Sequence, residues 1–188
     1  MCSFFDELDT LGFNRAKSAS GSARSIVNQL LVELEGIDTN TDKILVIGAT
    51  NMPWDVDDAL RRPGRFDRAV FVYPPDIEAR EEIFRLKLFG RPVDVIDYGA
   101  LAARSEFFSG ADIEYVAETA AENVLEEIVR TGNQNLRITM KILLEILSGS
   151  KPSTLGWLKT ISTYVKYANQ TGYYNDVEDY LRAKKIPR

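Results

Sequence analysis

The chain has 188 residues, 45% hydrophobic and 27% charged, with a formal net charge of −5. That balance excludes a disordered tail, a collagen-like fibre and a disulfide scaffold, and an acidic chain is a poor electrostatic partner for nucleic acid. With no histidine and one cysteine, Cys2, a His- or Cys-based zinc site, a Ser-His-Asp triad and a Cys-His dyad are excluded as well.

The elements follow in chain order. Met1 to Phe5 is a short apolar run ending in acids, Asp6-Glu7-Leu8-Asp9, and reads as a buried strand. Thr10 to Ser22 is rich in Gly, Ser, Lys and Arg and reads as a loop. Ile26, Val27, Leu30, Leu31 and Leu34 recur at helical spacing, and Gly36 closes that helix. Lys43 to Thr50 holds a second β-branched strand, and Ala69 to Val72 reads as a third, stopped by Pro74-Pro75. From Asp76 onward the pattern is helical. Asp76 is placed to cap a helix to about Leu88, Ser109 and Asp112 form a near capping box, and Thr139 opens a helix ending at Ser148-Gly149. Trp157, Ile161, Tyr164, Val165 and Ala168 make one more stripe, expected to pack on the preceding helices, and Tyr174 to Ala183 makes a last short one. No apolar run approaches the ~20 residues of a membrane span, and Met1 is not followed by a charged-then-apolar signal segment. The lone cysteine suits a reducing cytoplasm.

Four groups of residues could carry chemistry. Asp6 and Glu7 end a strand, where open α/β sheets bind ligands; Asp can hold magnesium and Glu can polarise water. A solvated acidic loop is the plainer alternative. Asn51 closes the next strand, and its amide can donate to a phosphate and accept from water, or simply make a turn before Pro53. Arg61, Arg62, Arg65 and Arg68 surround Pro63-Gly64; guanidinium forks suit phosphate, and a solvated basic loop is again the alternative. Ser109-Gly110-Ala111-Asp112 is a helix start whose small residues let a ligand approach, or an ordinary N-cap.

Taken together and in this order, the four groups resemble the AAA ATPases, the family that includes valosin-containing protein. Phe4-Phe5-Asp6-Glu7 is similar to its Walker B motif and Ala49-Thr50-Asn51 to its sensor 1. Asp58 to Asp67 is similar to the segment bearing arginine fingers, and Phe108 to Asp112 to the sensor 2 helix of the lid. The resemblance covers residues 1 to about 148 and implies a fold: a partial P-loop NTPase α/β parallel sheet in residues 1–75, an all-α helical lid in 76–149, and a helical extension in 150–188. It implies roles too. Asp6 would organise Mg2+, Glu7 would polarise the attacking water, and Asn51 would orient it. Arg62 and Arg65 would reach a neighbouring subunit's site in a hexameric ring of like chains, and Gly110 and Ala111 would lie near the adenosine of ATP or ADP. The Gly12 to Ser22 loop would face the central pore. The implied function is ATP hydrolysis driving the remodelling or unfolding of protein substrates, without nucleic acid or membrane.

Two departures qualify the resemblance. The 188 residues contain no Gly-x-x-x-x-Gly-Lys-Ser/Thr; the nearest approach, Lys17-Ser18, has Leu11 and Ala16 where the glycines belong. In the family that P-loop lies upstream of Walker B, so the chain is expected to be the C-terminal part of an AAA module, as a fragment or completed by a partner chain. Lys87 stands where relatives often carry a histidine near the adenine. The chain alone is therefore expected to be inactive, with Arg62 and Arg65 exposed. The alternative function is a non-enzymatic module that joins or regulates a ring through those arginines.

Overall fold

The computed structural model describes residues 2–11, 21–36, 44–169 and 172–186, with side chains of 25–34 in the second helix. The expected pore-facing loop lies largely outside them. The chain divides into two compact units, Met1–Val70 and Phe71–Arg188. The split falls just before Pro74-Pro75, and the lid helices share a unit with the extension.

The first unit holds strand β1 (Cys2–Phe5), a single turn α1 (Leu8–Leu11), helix α2 (Gly21–Gly36) and strand β2 (Leu45–Gly48). β1 and β2 pair in parallel, with Cys2 opposite Leu45 and Phe5 opposite Gly48. Burial alternates along both strands. On the inward side Phe5 and Val46 pack with Leu8, Val27, Leu31, Leu34, Val56, Ala59 and Leu60. On the other side Phe4, Leu45 and Ile47 are exposed.

The expected third strand does not form: among the described residues the sheet has two strands, and residues 67–76 carry no regular structure. Val70 and Val72 are exposed rather than buried. β-Branched residues favour a pleated, half-buried surface, and where no neighbour offers one the preference has nothing to act on.

Gly48 is needed for close approach. A Cβ built there would lie 2.7 Å from Leu8 Cδ2 and 3.2 Å from Phe66 Cε1. Leu8 is itself buried, so its methyl has little room to turn away. Gly48→Ala is expected to destabilise the first unit by about 1–3 kcal/mol, the usual cost of overpacking. Urea unfolding followed by Trp54 fluorescence measures this; an unchanged midpoint would show that Leu8 and Phe66 can move aside freely.

The second unit is helical: α3 (Ile77–Leu88), α4 (Tyr98–Arg104), α5 (Gly110–Thr131), α6 (Met140–Gly149), α7 (Thr154–Ala168) and α8 (Asn175–Ala183). Its caps follow the sequence. Asp76, Asp97 and Thr139 each accept from the backbone N–H of the third residue of α3, α4 and α6, and Ser109 with Asp112 forms a complete capping box on α5. Gly132 ends α5 at φ 73°, the left-handed position that favours glycine. The core joins Phe84, Leu88, Leu101, Ile113, Val116 and Leu143 among others. Arg80 is buried, and burial pulls its pKa down. Its Nε and Nη2 donate to the Ala102 carbonyl at 3.2 and 2.9 Å and its Nη1 to Pro75 at 2.8 Å, which satisfies the end of α4.

The extension packs differently from expectation. The main helix partner of α7 is α8. Ile161 and Val165 are buried, whereas Trp157 stacks on Phe71, with ring centroids 5.5 Å apart. Tyr180 lies edge-on to Phe71 at 5.8 Å. At the start of α7, Ser153 bonds Asp112 and Thr154 bonds the Phe107 carbonyl.

Candidate functional site

The parallel ladder continues past both strand ends. Ala49 N–H donates to the Phe5 carbonyl and Leu8 N–H to the Ala49 carbonyl, each at 2.8 Å. This places Asp6-Glu7 and Thr50-Asn51 at the carboxyl end of adjacent parallel strands, where open α/β sheets bind ligands. Asp6, Glu7 and Asn51 are all exposed there.

Glu7 has φ 51°, the left-handed region that a non-glycine residue enters at a cost of about 1–3 kcal/mol. Its neighbours hold it in place. Its N–H donates to Asp6 Oδ1 at 2.9 Å, and its carbonyl accepts from Thr10 N–H and Thr10 Oγ1, each at 2.8 Å. Such a bend persists only where its surroundings over-determine it.

Two residues that sequence reasoning left without a role tie this corner together. Thr50 Oγ1 donates to Asp9 Oδ1 and accepts from Met52 N–H at 2.9 Å. The bond joins the turn carrying Glu7 to the one carrying Asn51. The third acid of Asp6-Glu7-Leu8-Asp9 was the only signal for it, and pairing it with Thr50 required the sheet register.

The arginine segment follows its turn chemistry. Asp57 is buried and its Oδ1 accepts from Ala59 N–H at 2.9 Å, capping a 3₁₀ turn over Asp58–Arg61. Arg62-Pro63-Gly64-Arg65 then reverses direction: Arg65 N–H donates to the Arg62 carbonyl at 3.2 Å and Gly64 has φ 85°, as a type II turn with proline second and glycine third requires. Arg62 is exposed, as expected. Arg65 is half-buried, because its Nη1 donates to the Ala59 carbonyl. Phe66 anchors the segment edge-on to Phe5, with ring centroids 6.4 Å apart.

Gly110 and Ala111 open α5 in the second unit, half-buried and exposed respectively. At Asp112 burial pushes the carboxyl pKa up, but hydrogen bonds from Ser109 and Ser153 outweigh it and hold the group below its ordinary value. Lys87 Nζ bonds Glu114 Oε1 at 2.6 Å.

The donors fit a magnesium–nucleotide ligand in kind. Asp6 offers an exposed oxygen at a strand end, and magnesium is commonly held through one or two carboxylates, water and phosphate. No cluster of three metal-ligating residues occurs among the described residues. No described helix is long and apolar enough to cross a membrane.

Comparison with known proteins identifies relatives of this chain. Residues 3–74 match the family described as ATPase family associated with various cellular activities (AAA). The chain is 39% identical over 161 residues to a cell division cycle protein 48 homolog of Archaeoglobus fulgidus, covering 80% of this chain and 22% of that protein. It is 44% identical over 126 residues to meiotic spindle formation protein mei-1 of Caenorhabditis elegans, covering 65% and 26%. It is 42% identical over 122 residues to ATP-dependent zinc metalloprotease FtsH of Kosmotoga olearia, covering 63% and 19%. The chain belongs to the AAA ATPase family. It spans about a fifth to a quarter of the length of these relatives.

Proposed function

We propose that these residues are the water-activating and charge-neutralising part of an ATPase site in an AAA ring that remodels or unfolds proteins, in the cytoplasm. The observation that carries this reading is Glu7, held in a left-handed bend at the end of a parallel strand and tied through Asp9 and Thr50 to Asn51. Bound Mg-ATP would supply the phosphoryl group and its accumulated charge. Asp6 would hold the ion through water. The Glu7 carboxylate would accept a proton from the attacking water, and the Asn51 amide would orient it. Arg62 and Arg65 would neutralise charge at the neighbouring subunit's phosphates, and Gly110 and Ala111 would contact adenosine. Phosphoryl transfer needs mostly such positioning and charge stabilisation.

The backbone cradle and lysine for the phosphates would come from polypeptide outside these 188 residues. Titration of the 188-residue chain with Mg-ATP is expected to give no micromolar binding and no phosphate release, since P-loop amides and lysine carry most nucleotide affinity. Joined to a P-loop-bearing segment in a ring, the same residues are expected to turn over ATP. Micromolar binding by the chain alone would overturn the division of labour, and an intact ring that never hydrolyses ATP would overturn the enzymatic reading. That second outcome favours a non-enzymatic module that joins or regulates a ring through Arg62, exposed, and Arg65, half-buried.

A further inference from the structure

The extension carries bonds that its own helices do not use. Ser153 is the N-cap residue of α7, yet its side chain makes no capping bond there. Its Oγ instead donates to Asp112 Oδ2 at 2.9 Å, and its N–H donates to the same oxygen at 3.1 Å. That oxygen also accepts from Ser109 N–H at 2.8 Å, as half of the capping box of α5. Thr154 Oγ1 donates to the Phe107 carbonyl. From α8's end, Lys184 Nζ lies 3.5 Å from Glu106 Oε1 and 6.0 Å from the centroid of the Phe107 ring. Phe107 itself has φ 65°, a left-handed bend just before the N-cap of α5. Both ends of the extension thus reach one stretch, residues 106–112.

We infer that the extension is a positioning element for the start of α5, with Ser153 and Thr154 as the positioning residues that fix the Gly110–Ala111 step. A helix pair added for its own stability would use Ser153 to cap α7. Here the hydroxyl goes to the neighbouring helix start. A left-handed non-glycine residue relaxes when its surroundings let go, and relaxation of Phe107 shifts the backbone leading into Gly110. The consequence for nucleotide affinity rests on the reading that Gly110 and Ala111 contact adenosine.

Amide hydrogen exchange on the 188-residue chain tests the positioning without nucleotide. In Ser153→Ala/Thr154→Val, amides 107–112 are expected to exchange about tenfold faster, because bonds to a charged group are lost. Amides within α8 and in residues 116–124 should keep their protection, and Ser153→Thr, which keeps the hydroxyl, should restore 109–112. Lys184→Met is expected to loosen 106–108 without touching α7, so it decides the matter even if the double variant loses α7. Unchanged exchange at 107–112 in the double variant, or, where that variant loses α7, unchanged exchange at 106–108 in Lys184→Met, would overturn the inference. In a P-loop-bearing assembly, the double variant should raise the KM for ATP several-fold and leave kcat. Faster exchange with unchanged KM, together with unchanged KM in Gly110→Val, would leave the positioning standing and overturn the adenosine contact.

Discussion

Glu7→Gln is expected to lower ATP turnover of the assembled ring by about 10²–10⁴-fold, the typical worth of a positioned general base, while ATP stays bound. The amide matches the carboxylate in size. The left-handed backbone of Glu7 is set by Asp6, Thr10 and Ala49, none of which the substitution touches. Groups that would hold nucleotide are therefore kept, and only the proton acceptor is lost. Phosphate release, with nucleotide retained through gel filtration, measures both halves. Turnover within tenfold of the parent would move the base to another carboxylate, and Asp9, bonded to Thr50, is poorly placed to serve.

Arg62→Ala is expected to cost about 10³–10⁵-fold in turnover, as loss of an arginine finger does, with little change in stability. Arg62 is exposed at the first position of a type II turn, and Pro63 and Gly64 set that turn without it. Arg65→Ala should slow turnover too, but it also removes a bond to the Ala59 carbonyl beneath the loop. Mixing distinguishes action between subunits from action within one. An Arg62→Ala subunit keeps its own Glu7, and a Glu7→Gln subunit keeps its own Arg62. Rings mixed from the two should regain turnover wherever the second lends its arginine to the first. Mixed rings as inactive as either parent variant would place the finger within its own subunit.

What the sequence made legible was local. Asp76, Ser109 with Asp112, and Thr139 mark helix starts because a cap bonds within three residues, so the signal sits beside its effect. Arg62-Pro63-Gly64-Arg65 is equally self-contained. The α4 helix passed unread although Asp97 caps it by the same chemistry, since seven residues give too few turns for a stripe. Ala69 to Val72 has strand composition without a strand, because pairing is decided by neighbours. The Asp9–Thr50 bond spans 41 positions and the Asp112–Ser153 bond also 41. Each joins common polar residues whose partnership exists only once elements are placed. The candidate site was legible as residue types at strand ends. The bend at Glu7 was not, since glutamate carries no propensity for it.

The two hydrophobic clusters share no residue: one gathers Leu8, Val27 and Leu60, the other Phe84, Ile113 and Leu143. Cooperativity in unfolding comes from a shared interior, and among the described residues these two clusters are separate. Heating is therefore expected to take the chain apart in more than one step, so that a single melting temperature would describe neither unit. A ligand held at the Asp6–Asn51 corner would raise one transition by mass action. A change at Ser153 or Lys184 would register in the other. The calorimetric trace thus reports which half a substitution or ligand has reached, before any assay of turnover is run.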